Sequence, residues 1–326
     1  MSVAPPNASG VEAGAAGPSL EHADEYLGYL RSVRNLSEAS IRAYRSDLAA
    51  FASWLSRNEL DEAFVDAALA RRYIAHMSRR NAAVSTVNRM LSSLKGYYRF
   101  LVRAGHTEGS PLESVRGLKR SGRLPGFLFE NETAQLLSLE GNDFTTLRDR
   151  LILEMLYSTG CRISELVTVN LDDIDFKRGR VLAHGKGRKD RIVFLGAAAG
   201  RVLGEYLPYR SERLVRLGVH NEKALVINAN GQRITQRGVA GIIQKRVVEQ
   251  GIAKTVSPHT FRHTFATHIL DRGADIRVVQ ELLGHSSLSS TQVYTHLGLG
   301  TLKRIYEQAH PHAGRGGASA RGKNDE

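Results

Sequence analysis

Cysteine is all but missing from this sequence: Cys161 stands alone among 326 residues. That excludes an intrachain disulfide and any cysteine-based zinc cluster, and leaves Cys161 the part of a small buried apolar side chain. No apolar run approaches the ~18 residues that a spanning helix needs, and no basic stretch followed by an apolar core opens the chain. These absences predict a soluble, cytoplasmic protein with no membrane partner. Lysine and arginine are missing from residues 1–20, which are rich in Ala, Gly, Pro and Ser and lack periodicity. Residues 1–18 are therefore expected to form a disordered extension. Acids are scarce where they would balance the most charge: between Ala67 and Arg123, Glu108 and Glu113 stand against 12 Lys or Arg. A solvated helix face mixes both signs, so this one-signed stretch points to a nucleic-acid phosphate backbone. The whole-chain charge of +12 agrees, although by itself it would suit an anionic membrane equally well.

What is present is mostly helical pattern. Apolar side chains recur at helical spacing around Tyr26, Leu27 and Leu30, then Ile41 to Leu55, Leu69 to Met77, and Val87 to Leu101. Four or so amphipathic helices over residues 19–106 make a small bundle. Gly105, Gly109, Pro111, Gly117, Gly122 and Pro125 then mark a flexible basic linker at 107–126, a strap that would let two domains close around a duplex.

A second domain is expected over 127–310, with helices near 131–140, 147–158, 197–217 and 235–250. In Thr159-Gly160-Cys161-Arg162-Ile163-Ser164-Glu165-Leu166 a turn feeds a new helix and puts Arg162 at its N-terminus. The period changes to two over Arg180–Ala183 and Arg191–Leu195, predicting a β-hairpin with Lys186 at its Gly-rich tip. The Gly-Lys-Gly tip lacks the Walker spacing, so nucleotide binding is rejected. The fold class is thus mainly α with a small β-hairpin: an N-terminal helical bundle followed by a mixed α+β domain. Residues 311–326 are expected to be a disordered tail.

The stretch from Ser257 to His296 carries the chemistry. Ser257 is a good N-cap and Pro258 suits the first helical position, so a helix should run to about Asp271, with Gly273 beyond it. Its buried stripe is read as Phe261, Phe265, Ile269 and Leu270. His259 and Arg262, three residues apart, share a face near the helix N-terminus and can reach one anion. His285 follows in Leu-Leu-Gly-His, and Tyr294 comes nine residues later. His259 and His263 have zinc-ligand spacing, but the glutamate of His-Glu-x-x-His is absent and no carboxylates cluster nearby, so no metal or other cofactor is expected. His263, His268 and His296 are read as packing or hydrogen-bonding residues.

Taken together, Arg162, Lys186, His259, Arg262, His285 and Tyr294, in this order and in these motifs, resemble the tyrosine recombinase (phage integrase) family, and within it the XerC/XerD chromosome-dimer-resolution branch. The resemblance spans roughly residues 19–312. It implies a SAM-like core-binding domain and a catalytic domain forming a C-shaped clamp on double-stranded DNA. It also implies a homo- or hetero-tetramer with a paralogous recombinase, and activation by a septal DNA translocase. Under it Tyr294 attacks the scissile phosphate, Arg162, Arg262 and His285 bind its oxygens, His259 takes the tyrosine proton and Lys186 protonates the leaving oxygen. Glu165 is read as orienting a catalytic side chain.

The rival readings are an element-borne integrase of the same family, a type IB topoisomerase, a metal-dependent nuclease, and a DNA-binding protein without catalysis. A terminal helix carrying Leu299, Leu302, Ile305 and Tyr306 either covers its own domain or, as the resemblance implies, docks into a neighbouring protomer. On the second reading, a chain cut after Gly300 is a folded monomer.

Overall fold

The computed structural model describes residues 19–119, 126–185, 190–284 and 298–314. The chain divides into two compact units, Met1–Gly122 and Arg123–Glu326. Among the described residues the first is built from four α-helices, α1 (Ala23–Ser32), α2 (Glu38–Arg57), α3 (Ala67–Arg79) and α4 (Val84–Ala104). Local chemistry starts and stops them. Ser37 caps α2 by accepting from Ser40 N–H, Asp66 caps α3 through Leu69 N–H, and Gly105 ends α4 in the left-handed region at φ 80°. Leu27, Ile41, Leu48, Phe51, Leu94 and Tyr97 bury almost completely between the helices. Each such side chain contributes about 1.5–3 kcal/mol of transfer free energy.

The stretch read as a flexible linker departs from expectation over its first part. Leu112 and Val115, three residues apart, insert into the core of the first unit. Asn88 clamps Leu118 by donating to its carbonyl at 2.9 Å and accepting its N–H at 2.7 Å. Two apolar side chains among Gly and Pro are too few to show a period, yet enough to anchor the segment.

The second unit packs around α6 (Phe144–Thr159), preceded by α5 (Glu130–Leu137). Apart from Arg150, α6 is buried on every side from Leu147 through Tyr157, its charged Arg148, Asp149 and Glu154 held in ion pairs, and it forms the centre of the unit. α7 (Ile163–Thr168) follows, then a three-stranded antiparallel sheet of β1 (Ile174–Asp175), β2 (Arg180–His184) and β3 (Asp190–Phe194) in that order. The hairpin was legible; the two-residue β1 was not. β2 and β3 pair from Arg180 opposite Phe194 to His184 opposite Asp190. Alternation puts Val181 and Ala183 of β2, and Arg191 and Val193 of β3, on the buried face.

Helices α8 (Ala197–Arg216), α9 (Gln236–Glu249), α10 (Pro258–Asp271), α11 (Ile276–Leu283) and α12 (Leu299–Ala309) complete the unit. α10 starts as its sequence dictates: Ser257 Oγ accepts from Thr260 N–H and Pro258 opens the first turn. Phe261, Phe265 and Ile269 are buried, but Leu270 is exposed. Nine residues at 100° each place Leu270 opposite Phe261, and His268, seven residues on, takes the buried position instead.

In this single chain α12 covers its own unit. Leu302 and Tyr306 pack with Phe194, Phe265, Val278 and Leu283. Tyr306 Oη lies 2.9 Å from Ser158 Oγ, which accepts from Gly196 N–H at 2.7 Å. His310 is buried against Tyr157, and the carbonyls of His312 and Ala313 accept from Ala198 and Ala197 N–H at the start of α8. Cutting after Gly300 would strip these groups from the core, so a truncated chain is not expected to be an intact monomer. The first residues of the supposed tail are thus packed.

Candidate active site

Three arginines from three different elements meet at the end of α11. Arg162 is the N-cap of α7, Arg191 lies on the buried face of β3, and Arg262 is in the second turn of α10. α11 ends at Gly284 with φ 64°, leaving its last carbonyls without helical partners. Consecutive carbonyls are taken one by each arginine. Arg191 donates to Leu282, Arg262 donates to Leu283 at 2.5 Å, and Arg162 donates to Gly284 at 3.5 Å. The negative end of the helix dipole favours these cations.

One carboxylate sits among the three cations. Glu165, 2 % exposed, accepts from Arg162 Nη1 at 2.8 Å through Oε1. Its Oε2 accepts from the Arg162 backbone N–H at 2.8 Å and from Arg191 Nη2 at 2.7 Å. Burial pushes its carboxyl up, but the Arg191 charge and these hydrogen bonds outweigh that and hold it below the usual carboxylate range. Glu165 therefore orients Arg162, as its position one turn on suggested.

Arg262 is as confined as Arg191. It is 9 % exposed and also donates to the Gly160 carbonyl at 2.7 Å. Burial, followed by repulsion from Arg162 and Arg191, lowers its guanidinium to about 10. Charge this expensive to desolvate is relieved by an anion, and three guanidiniums facing one carboxylate leave the site short of negative charge. His259, in the first turn of α10, is exposed. Arg162 is 42 % exposed at its side chain, so a ligand can reach it.

Lys186, His285 and Tyr294 lie outside the described residues. Residues near two of them are described: His184 and Asp190 pair in the strands on either side of Lys186, and Gly284 directly precedes His285. Of the histidines read as packing or hydrogen-bonding residues, His296 also lies outside the described residues, while His268 and His263 take such parts. His268 lies 2.9 Å from both Tyr157 Oη and the Leu128 carbonyl, and His263 meets Phe127 edge to face. Cys161 is buried, which pushes its thiol up.

Arg191 was missed by sequence reading, which took it only as the start of a strand. The signal was its register: it alternates with Val193 and so falls on the core side. Among the described residues one group has metal-ligand composition, His22, Glu25 and His106 in the first unit. The two imidazoles are stacked at 3.8 Å with planes 17° apart, so their in-plane lone pairs run side by side rather than converging on an ion.

Residues 127–299 match the model of the Phage integrase family, and residues 23–105 that of the phage integrase N-terminal SAM-like domain. A tyrosine recombinase XerC from Treponema denticola is 38% identical over 300 residues, spanning 89% of this chain and 98% of that protein. The chain belongs to the tyrosine recombinase family. A second member, the XerD of Oceanobacillus iheyensis, is 35% identical over 297 residues, 90% of this chain and 100% of that protein. The fold also matches a XerH site-specific recombinase bound to palindromic difH substrate, with a TM-score of 0.65 at 22% identity over 87% of this chain and 84% of that one. As a tyrosine recombinase the chain is a DNA-cleaving and rejoining enzyme, and its arginine cluster falls inside the span of the integrase match.

Proposed function

We propose that this chain exchanges DNA strands at a specific duplex site through a 3′-phosphotyrosine on Tyr294, and that its cellular task is resolving chromosome dimers at cell division. The observation that carries the chemistry is the gathering of Arg162 and Arg262 at one anion-deficient site, held there by the end of α11.

The step balances without metal or ATP. Tyr294 Oη attacks the scissile phosphorus while its proton passes to His259, since a phenol of ordinary pKa about 10 must be deprotonated as it attacks. Arg162 and Arg262 offer planar forks to the two non-bridging oxygens, and His285 adds a donor. The P–O5′ bond breaks, and Lys186 gives its proton to the leaving 5′ oxygen. The phosphodiester energy stays in the tyrosyl ester, so the 5′-hydroxyl of another strand reverses the reaction.

The first unit supplies the grip. Arg71, Arg72, Arg79 and Arg80 on and after α3, and Arg89, Arg99 and Arg103 on α4, are all exposed. They form the basic surface for phosphates, and the helices over Ile41–Leu55 and Thr86–Leu101 and the segment Thr235–Lys245 are the candidates for base readout. Four chains, identical or paired with a paralogue, would act together on two duplexes in the cytoplasm, with a septal DNA translocase as activator.

The test is a nicked suicide duplex carrying the target site. The wild-type chain should accumulate a covalent adduct in EDTA, and Tyr294→Phe should bind equally well and form none. Adduct formation by Tyr294→Phe would overturn the role of Tyr294.

A further inference from the structure

We propose that Arg191 is a positioning residue for strand cleavage, tying Glu165, and through it Arg162, to the C-terminal end of α11 and to the strand that follows Lys186. The proposal rests on the recombinase reading.

Arg191 joins parts that are far apart in sequence. It leaves β3 five residues after Lys186, donates to Glu165 Oε2 at 2.7 Å, and donates to the carbonyl of Leu282, three residues before His285. With one Nη on the Glu165 carboxylate and the other on the Leu282 carbonyl, its reach is to the group that holds Arg162, and it acts through these neighbours. Gly284 packs flat against it: a Cβ there would stand 2.7 Å from Arg191 Cδ and 3.1 Å from its Nε. The glycine therefore serves two needs at once, the left-handed cap and the approach of the guanidinium.

Stability alone does not explain an arginine here. Arg191 and Val193 share the core face of β3, where an apolar side chain would avoid the desolvation of a buried ion pair. What the ion pair adds is geometry. Glu165 can hold Arg162 by both its side chain and its backbone N–H only while its own carboxylate stays ionised and fixed. Arg162, Arg191, Arg262 and Cys161 are the titratable or charged groups around that carboxylate among the described residues. Removing Arg191 takes away the largest favourable charge and leaves burial to push the carboxyl up.

The experiment uses the full chain on the nicked suicide duplex, following half-site affinity, single-turnover cleavage from pH 5.5 to 9, and thermal unfolding. Arg191→Met should keep affinity within about twofold and cut roughly ten- to a hundredfold more slowly, a smaller loss than for a group on the phosphate. It should also show a new fall in rate toward acid pH, as Glu165 takes up a proton. Adding Glu165→Gln should abolish that acid limb without a further full penalty. Should Arg191→Met fail to fold, Arg191→Lys keeps the charge and stem without the fork, and slower cleavage is again expected. Cleavage by a folded Arg191 variant at the wild-type rate and pH profile overturns the proposal, as does a loss matched by lost folded protein. Failure of the wild-type chain to form any adduct would instead overturn the recombinase reading.

Discussion

Arg262 Nη2 donates to the carbonyl oxygen of Leu283 at 2.5 Å, while its Nη1 donates to Gly160 at 2.7 Å. The fork is thus fixed by backbone from two separate helices' ends before any ligand arrives. A side chain so held loses little entropy on meeting a phosphate, which is how preorganised donors lower a barrier. Arg262→Lys keeps one charge but cannot span both carbonyls and a phosphate oxygen. Cleavage should fall by about 10²–10³ with half-site affinity little changed, as read by single-turnover kinetics beside a filter-binding titration.

Gly160→Ala should destabilise the second unit. Gly160 has φ 57°, and a Cβ there would stand 2.6 Å from Phe265 Cδ1 and 3.0 Å from Leu283 Cδ2. Left-handed strain and overpacking together should remove about 2–4 kcal/mol, measured by urea denaturation of the full chain. An unchanged midpoint would show that the turn relaxes freely.

Acid should loosen the packing of α12. His310 is buried as the neutral imidazole: Nε2 sits 3.2 Å from the Tyr157 carbonyl, and Nδ1 accepts from His312 N–H. Burial first, then the neighbouring His312, lower it to about 3. The sign follows from proton binding. Between the folded value and the ordinary ~6.5, only the unfolded chain holds the proton, so stability falls on acidification from about pH 6.5. The limiting slope is about 1.4 kcal/mol per pH unit. His310→Phe should flatten this dependence between pH 6.5 and 4.5, measured by denaturant midpoints.

DNA affinity should be steeply salt-dependent. If the basic surface of the first unit neutralises about six phosphates, binding weakens about 10³-fold between roughly 50 and 200 mM salt. Replacing the exposed pair Arg79 and Arg80 by glutamine should lower the log–log slope by up to about 2, with no dependence on magnesium. A flat salt response would refute phosphate binding by this surface.

Much of this protein was readable before its structure. Ser257 and Pro258 announce α10, and the alternation from Arg180 and from Arg191 announces the hairpin, because caps and period-two patterns are local. Features set by distant partners were not. Leu270 looks as apolar as Ile269, and only the helical angle separates them. Arg191 follows Arg188, Lys189 and Asp190, so its charge reads as solvated until the fold brings Glu165 and Leu282 to it. The terminal helix carries a stripe that fits either its own unit or another chain, and its sequence does not say which. Here Ser158, Tyr157 and Phe265 supply the cover. For Lys186, His285 and Tyr294, motif and order in the chain remain the whole basis of assignment.

The packing of Tyr306, His310 and His312 against α6 has a consequence for synthesis. α6 emerges from the ribosome some 150 residues before the aromatic rings that close over it, as the separation of Ser158 and Tyr306 by 148 positions records. Until those last residues are made, Tyr157 and Ser158 lack their partners and the flank of α6 stays open. A nascent chain can thus complete its first unit while the second is unfinished. The second unit therefore closes only after α12 has been made, long after α6 has left the ribosome.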